Sequence, residues 1–266
     1  YPEQVVGEAP HRYGETVFEN SGARLWTTGD GIGVLGFKSR LHVIGDDVLD
    51  GVLESLKIAE QRFDGLVIWQ TEAPFSAGAN LAQAVPVVLA GDFVTFENSV
   101  AKFQQTTSAL RYAAIPVVGA AQGLALGGGC EFLMHCDRVV AALESYIGLV
   151  EVGVGLIPAG GGCKEFAARA AAEAKGGDLL PFLRPYFEAM AMAKVSRSAE
   201  EAKQLGHLRP SDIIIFNPHE LLHVAKAQVR ALAEKGYRPP QPRPIRVAGR
   251  TGIAACQMAL VNMRDG

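Results

Sequence analysis

The sequence has no basic excess. Twenty-five Lys and Arg face 28 Asp and Glu, for a formal net charge of -3 and a pI near 6.1. No Lys/Arg stripe stands out, which argues against a nucleic-acid surface. There is no apolar run of about 18 residues, so no membrane span is expected. No basic segment followed by an apolar stretch opens the chain, so no secretory leader is read there. Cysteine is scarce: Cys130, Cys136, Cys163 and Cys256 form no C-x-x-C pair. That excludes a disulfide framework and fits a reducing, cytoplasmic compartment. Cys130, beside three glycines, is read as a small buried apolar residue.

What the chain does have is apolar residues (48%) and 30 glycines in 266 residues. Apolar content at this length supports a large packed core and excludes disorder as the main state. Several glycines are clustered, which points to sites built from backbone.

The hydrophobic pattern alternates between strand and helix. Residues 23–28 and 32–37 flank Gly29-Asp30-Gly31 and read as a hairpin. Residues 46–62 carry apolar side chains at helical spacing, with Asp46 as N-cap. Short apolar runs at 65–69, 115–120 and 138–142 read as buried strands, with a helix over 92–112 and a glycine-rich helix start at 127–134. This order predicts parallel β-α-β units with right-handed crossovers. From Gly162 onward the pattern is helical, over 163–175, 179–194, 198–206, 218–235 and 252–264. A proline-rich break falls at 238–244.

Two literal motifs are set aside. His219-Glu-Leu-Leu-His223 matches a zinc-protease pattern, but Asn217-Pro218 just before it reads as an N-cap and first-turn proline. The histidines then sit at a fraying helix start, and no metal is expected. Gly31 to Gly36 matches G-x-G-x-x-G but reads as the hairpin strand itself, without the strand-turn-helix setting a dinucleotide needs.

A third group of strings belongs together. Phe75-Ser-Ala-Gly-Ala-Asn80 is followed by Gln122-Gly-Leu-Ala-Leu126, Gly127-Gly-Gly-Cys-Glu131, Asp137, Ile147-Gly-Leu-Val-Glu151 and Gly155-Leu-Ile-Pro158-Ala-Gly-Gly-Gly162. In this order and spacing they resemble the crotonase (enoyl-CoA hydratase/isomerase) superfamily over roughly residues 22–210. The strings at 75–81 and 148–158 further resemble the hydratase module of bacterial proteins that carry a 3-hydroxyacyl-CoA dehydrogenase module first. The resemblance implies an α/β fold, a crotonase-like spiral of β-β-α units with two roughly perpendicular sheets and a helical C-terminal region. It divides the chain into an N-terminal extension (1–21), a catalytic core (22–195) and a helical C-terminal region (196–266). Because the chain opens at Tyr1 and the strings match that module, it is expected to be part of a longer polypeptide.

The chemistry implied is acyl-CoA thioester chemistry through an enolate-like state. Negative charge on the thioester oxygen calls for two backbone N–H donors. Gly128, in a glycine turn at a helix start, supplies one, since the helix N-terminus is partially positive. The resemblance assigns the second to Ala79, with Ala77, Gly127 and Gly129 around the substrate. The alternative for both segments is an ordinary tight turn.

Hydration also needs a base and an acid, and two carboxylates facing one cavity can serve. The resemblance matches Glu131 to the water-activating base and Glu151 to the acid that protonates the α carbon. The apolar neighbours of Glu151 are expected to raise its pKa. The alternative for each is an ion-paired or surface glutamate, with Arg138 a partner for Glu131. Three positions depart from the family pattern: Asn80 for Asp, Leu149-Val150 for Gln-Pro, and Gln122-Gly123 for Asn-Gly. The acyl pocket is expected along residues 81–100. No cofactor is expected, because acyl-CoA is the substrate and NAD belongs only to an absent dehydrogenase module. Expected partners are that module in cis or further copies in a homotrimer or hexamer. A Δ3,Δ2-enoyl-CoA isomerase and a non-catalytic acyl-CoA-binding module are the competing readings.

Overall fold

The computed structural model describes residues 13–265. Seven strands lie in sequence order in one sheet: β1 (Glu15–Glu19), β2 (Ala23–Thr27), β3 (Ile32–Phe37), β4 (Gly65–Trp69), β5 (Val117–Leu126), β6 (Arg138–Gly148) and β7 (Ile213–Ile215). β1, β2 and β3 are antiparallel, and β3 through β7 are parallel. Antiparallel neighbours close through short turns. The parallel ones need crossovers, which here are α1 (Asp46–Arg62) between β3 and β4, and α2 (Leu81–Leu89) with α3 (Phe93–Arg111) between β4 and β5. Then α4 (Gly128–His135) joins β5 to β6.

Alternation along the strands sends side chains to two cores. Leu25, Leu35, Leu66, Ile68 and Val117 meet α1 and α4 on one face. That side is completed by α5 (Gly162–Ala174), α6 (Leu180–Ala191) and α7 (Ala199–Gln204). Trp26, Val34, Val67, Trp69, Val118 and Val140 meet Leu221, Leu222, Ala225 and Val229 of α8 (Leu221–Glu234) on the other. β4 is buried at every position, as a strand covered on both faces must be. The last helix, α9 (Gly249–Asp265), packs on α6. Among the described residues no helix is long and apolar enough to cross a membrane.

Several expectations are corrected. The described strands form one sheet rather than two. β5 and β6 each run on past a bulge between Ala121 and Gly123, and only short bridges, Ser76 to Ala125 and Ile44 to Ala79, stand beside their far ends. The chain after Gly162 is not purely helical, since β7 adds an edge strand beside β6. α8, within the expected helical region 196–266, packs on the sheet, and its buried Lys226 donates to Thr28 Oγ1 (2.7 Å) and Asp30 Oδ2 (3.2 Å) in the hairpin turn. Asp46 is the first residue of α1, and Gly45 precedes it as N-cap. Of the expected extension 1–21, residues 1–12 lie outside the described residues, and the rest contains β1.

Candidate active site

In a parallel sheet the loops at the carboxyl ends of neighbouring strands converge, and ligands bind there. Four such loops line one cavity of about 440 Å³: Ile44-Gly45 after β3, Ala77 to Asn80 after β4, Gly127 to Glu131 after β5, and Val150 to Ile157 after β6. The strand register explains how residues 20 positions apart meet. Leu126 pairs with Gly148, so Gly127 and Leu149 leave the sheet side by side, and the Gly127 N–H donates to the Gly148 carbonyl at 2.8 Å. Glu131 follows one helical turn later and Glu151 opens a 3₁₀ turn (Glu151–Val154). Both line the cavity.

Their surroundings differ. Glu131 is 3% exposed, and its Oε1 accepts the Gly162 N–H at 2.8 Å. Burial, then the nearby Glu151 charge, raises its pKa to about 8, while the backbone N–H groups of Gly162, Gly160 and Gly161 pull it back. Arg138 is not its partner, because that guanidinium donates to Gln228 Oε1 instead. Burial raises Glu151 to about 7, and neither carboxylate oxygen has a hydrogen-bond partner at normal geometry. The N–H groups of Glu151 itself and Val150 oppose that rise weakly.

The backbone around them is also poised. The Ile44 N–H donates to the Gly78 carbonyl and the Ile44 carbonyl accepts the Asn80 N–H, so in this parallel bridge the Ala79 N–H faces away from Ile44. Gly128 is the first residue of α4, where N–H groups have no partner within the helix. The two donors are neighbours, for a Cβ built on Gly128 would lie 3.4 Å from the Ala79 nitrogen. That Cβ would also come within 2.6 Å of Phe103 Cζ, so any larger residue here must displace the Phe103 ring. Gly127 takes φ 50 to turn the chain into the helix.

Of the residues read from sequence, Glu131, Glu151, Ala79, Gly128, Ala77 and Gly127 line the cavity together. Gly129 does not: it is buried against Ser76, where a Cβ would lie 2.7 Å from the Ser76 Cβ. Phe103 and the Gly160–Gly162 turn were missed, since nothing in their local sequence places the first against Gly128 or the second against Glu131. His219 is exposed beside the Asn217 cap, whose Oδ1 accepts the His219 N–H at 3.1 Å. Cys130 is fully buried, and burial raises its thiol well above the usual range. The lining includes no Lys, Arg or His, whereas Leu49, Leu81, Val87, Phe96 and Val100 give it an apolar wing.

A sheet of this kind, with Glu131 and Glu151 beside the Ala79 and Gly128 backbone at its carboxyl edge, is that of the crotonase fold. Residues 27–209 match the Enoyl-CoA hydratase/isomerase family profile, and the chain belongs to that family. It is 39% identical over 248 residues to a probable 3-hydroxyacyl-CoA dehydrogenase of Bacillus subtilis, covering 93% of this chain and 31% of that protein. It is 34% identical over 155 residues to a putative fatty acid oxidation complex trifunctional enzyme of Rickettsia felis, covering 58% and 21%. The chain thus spans less than a third of either relative. A solved enoyl-CoA hydratase from Polaromonas sp. JS666 shares the fold, with a TM-score of 0.63, 22% identity, and 83% and 77% of the two chains covered.

Glu131 gives a stability prediction. Its folded pKa lies above its ordinary 4.5, so the folded state binds the extra proton and stability falls as pH rises from 4.5 to about 8. Glu131→Gln removes that penalty, and its amide oxygen can still accept the Gly162 N–H. The variant should therefore be more stable than the parent near pH 8, by on the order of a few kcal/mol, unfold at a higher temperature there, and lose the advantage near pH 5. Thermal melts across this range check it, and a gap that does not grow with pH contradicts it.

Proposed function

We propose that this chain hydrates trans-2-enoyl-CoA thioesters to 3-hydroxyacyl-CoA, as the hydratase module of a longer fatty-acid β-oxidation protein in the cytoplasm. The observation that carries the reading is the pair Glu131 and Glu151, two buried carboxyls titrating near neutrality in one apolar cavity. Moving a double bond needs one proton shuttle, whereas adding water needs a base at the β carbon and an acid at the α carbon.

In this mechanism the thioester oxygen sits between the Ala79 and Gly128 N–H groups. A water oxygen bonds to the β carbon while its proton passes to the Glu131 carboxylate. The electron pair of the double bond moves toward the thioester, and the resulting oxyanion is held by the two donors. Glu151 then delivers its proton to the α carbon. The net change is one water added, and the two carboxyls exchange protons with solvent to reset. Three N–H groups favour ionised Glu131, but burial and the Glu151 charge outweigh them and leave it at about 8, above Glu151 at about 7, so in this mechanism the proton passes from Glu131 to Glu151 before water is activated. No cofactor takes part in the step. The anionic CoA phosphates stay outside the cavity, whose lining carries no cation.

Crotonyl-CoA tests the reading through loss of the conjugated thioester absorbance. Growth of that absorbance from a trans-3-enoyl-CoA, without hydration of crotonyl-CoA, would favour the isomerase. No turnover of either would favour a binding module.

Coverage of only 31% of a relative named for dehydrogenase activity supports the modular reading. This chain alone is expected to hydrate crotonyl-CoA yet form no NADH from 3-hydroxybutyryl-CoA and NAD, while the full-length source protein does both. NADH formation by this chain alone contradicts that assignment.

A further inference from the structure

The Glu131 carboxylate owes its setting to a turn that itself rests on something. A Cβ on Gly160 would lie 2.4 Å from Glu131 Oε2, so the turn is pressed against the carboxylate, and the Gly162 N–H bonds it directly. On the α3 side the turn is tied by Gln104 Nε2 to the Ala159 carbonyl (2.7 Å) and Thr107 Oγ1 to the Gly160 carbonyl (2.6 Å). Its underside meets a ring. Gly161 takes φ 128, and a Cβ there would lie 2.4 Å from His135 Cε1 and 2.7 Å from His135 Nε2. The glycine backbone thus lies in contact with a fully buried imidazole.

That imidazole is fixed at both nitrogens. His135 Nδ1 is 2.7 Å from the Glu131 carbonyl, which can only accept, so Nδ1 carries the proton. Nε2 is then a lone pair, and it accepts from Lys164 Nζ at 2.9 Å. The ring is neutral: burial pushes its pKa down to about 4, Lys164 adds to the fall, and Glu165 opposes it. Lys164 and Glu165 belong to the first turn of α5, directly after the glycine turn, and Arg111 of α3 pairs with Glu165. One residue therefore touches the Glu131 backbone, the turn that holds the Glu131 side chain, and the helix that begins at that turn.

We propose that His135 is a positioning residue for Glu131, its neutral imidazole serving as the bed on which the Gly160–Gly162 turn presents N–H groups to the carboxylate. The proposal deepens the hydratase reading and rests on Glu131 being the water-activating base. His135 lines no part of the cavity and touches no substrate position. It acts only through the turn. The charged groups facing this assembly are Glu151 from the 3₁₀ turn, Lys164 and Glu165 from α5, and Arg111 from α3.

The test reads Glu131 directly, by carboxyl carbon NMR of protein labelled with [13C]glutamate. The Glu131 resonance is assigned by its loss in Glu131→Gln. In His135→Leu, which keeps bulk but not the ring and its two bonds, the turn N–H groups drift and the carboxylate loses donors. Its apparent pKa is expected to rise by about one unit. Hydration kcat is expected to drop about 10- to 100-fold with KM little changed. His135→Asn places an amide nitrogen at the Nδ1 position, restores the bond to the Glu131 carbonyl and should recover part of the shift. Should the leucine variant fail to fold, the asparagine variant still lacks the ring beneath Gly161, and its Glu131 pKa must exceed the parent value. An unchanged Glu131 titration in a folded His135 variant overturns the proposal, because a purely structural histidine would lower stability alone. Should the parent chain prove inactive as a hydratase, the NMR titration still decides what His135 does to Glu131, so the two failures are told apart.

Discussion

Glu151→Gln and Glu131→Gln are each expected to lower crotonyl-CoA turnover by about 10²- to 10⁴-fold, the range a positioned acid or base contributes. The two losses should differ in what accompanies them. Glu151 has no full hydrogen bond to lose, and its oxygens are buried, so its amide replacement should leave folding intact. Glu131→Gln should gain stability near pH 8, for the reason worked out above. Loss of activity with unchanged or improved stability is the signature of groups kept for chemistry at the expense of the fold. Because the two act on one water and one α proton, the double variant should fall little further than either single one. Initial rates at saturating substrate, with circular dichroism alongside, measure this. Near-parent turnover in either single variant removes that residue from the mechanism.

The second large effect is expected at Gly128. Proline there deletes one N–H. Because Gly128 is the first residue of α4, where proline is tolerated, the helix itself loses nothing. The added Cβ would still crowd Phe103. Gly128→Ala is therefore the reference, since it carries the same Cβ and keeps the donor. Relative to alanine, proline should cost about 10²- to 10³-fold in kcat, the usual loss for one oxyanion donor. Binding of CoA itself should be little affected. Equal rates for the two variants would show that crowding, rather than the N–H, governs this position.

How far the sequence foretold these results varied with the range of the interaction. α1, α3, β4 and the hairpin of β2 and β3 followed from local periodicity. β5 and β6 are longer than their apolar runs because, past the bulge, Gly123 to Leu126 pair with Ser145 to Gly148 in a ladder that only the partner strand specifies. β1 carries exposed Glu15 and Glu19 and reads as polar loop until it pairs with β2. α2 holds Pro86 and buries no residue, so neither propensity nor a core face marks it. β7 is three residues long, too short to interrupt a helical pattern.

The same split runs through the site. Glu131, Glu151, Gly128 and Ala79 were legible because their strings resemble a known family and because a thioester enolate needs two donors and two acids. The turn at Gly160–Gly162, Phe103 and His135 were not. The turn and Phe103 reach the Glu131 region across more than 20 residues of chain, His135 meets Glu131 only through its backbone carbonyl, and a histidine in Leu-Met-His-Cys reads only as helix interior. Gly129, which the resemblance places around the substrate, stands outside the cavity lining with Ser76 as its neighbour.

The central claim is that this cavity adds water across the double bond of an enoyl thioester. Incubating the purified chain with crotonyl-CoA in oxygen-18 water, followed by mass spectrometry of the product, tests it most directly. The account predicts 3-hydroxybutyryl-CoA with one labelled oxygen on the β carbon, and in deuterated water one deuterium on the α carbon. Recovery of unlabelled crotonyl-CoA from a folded chain, or a shifted double bond without label, would contradict it.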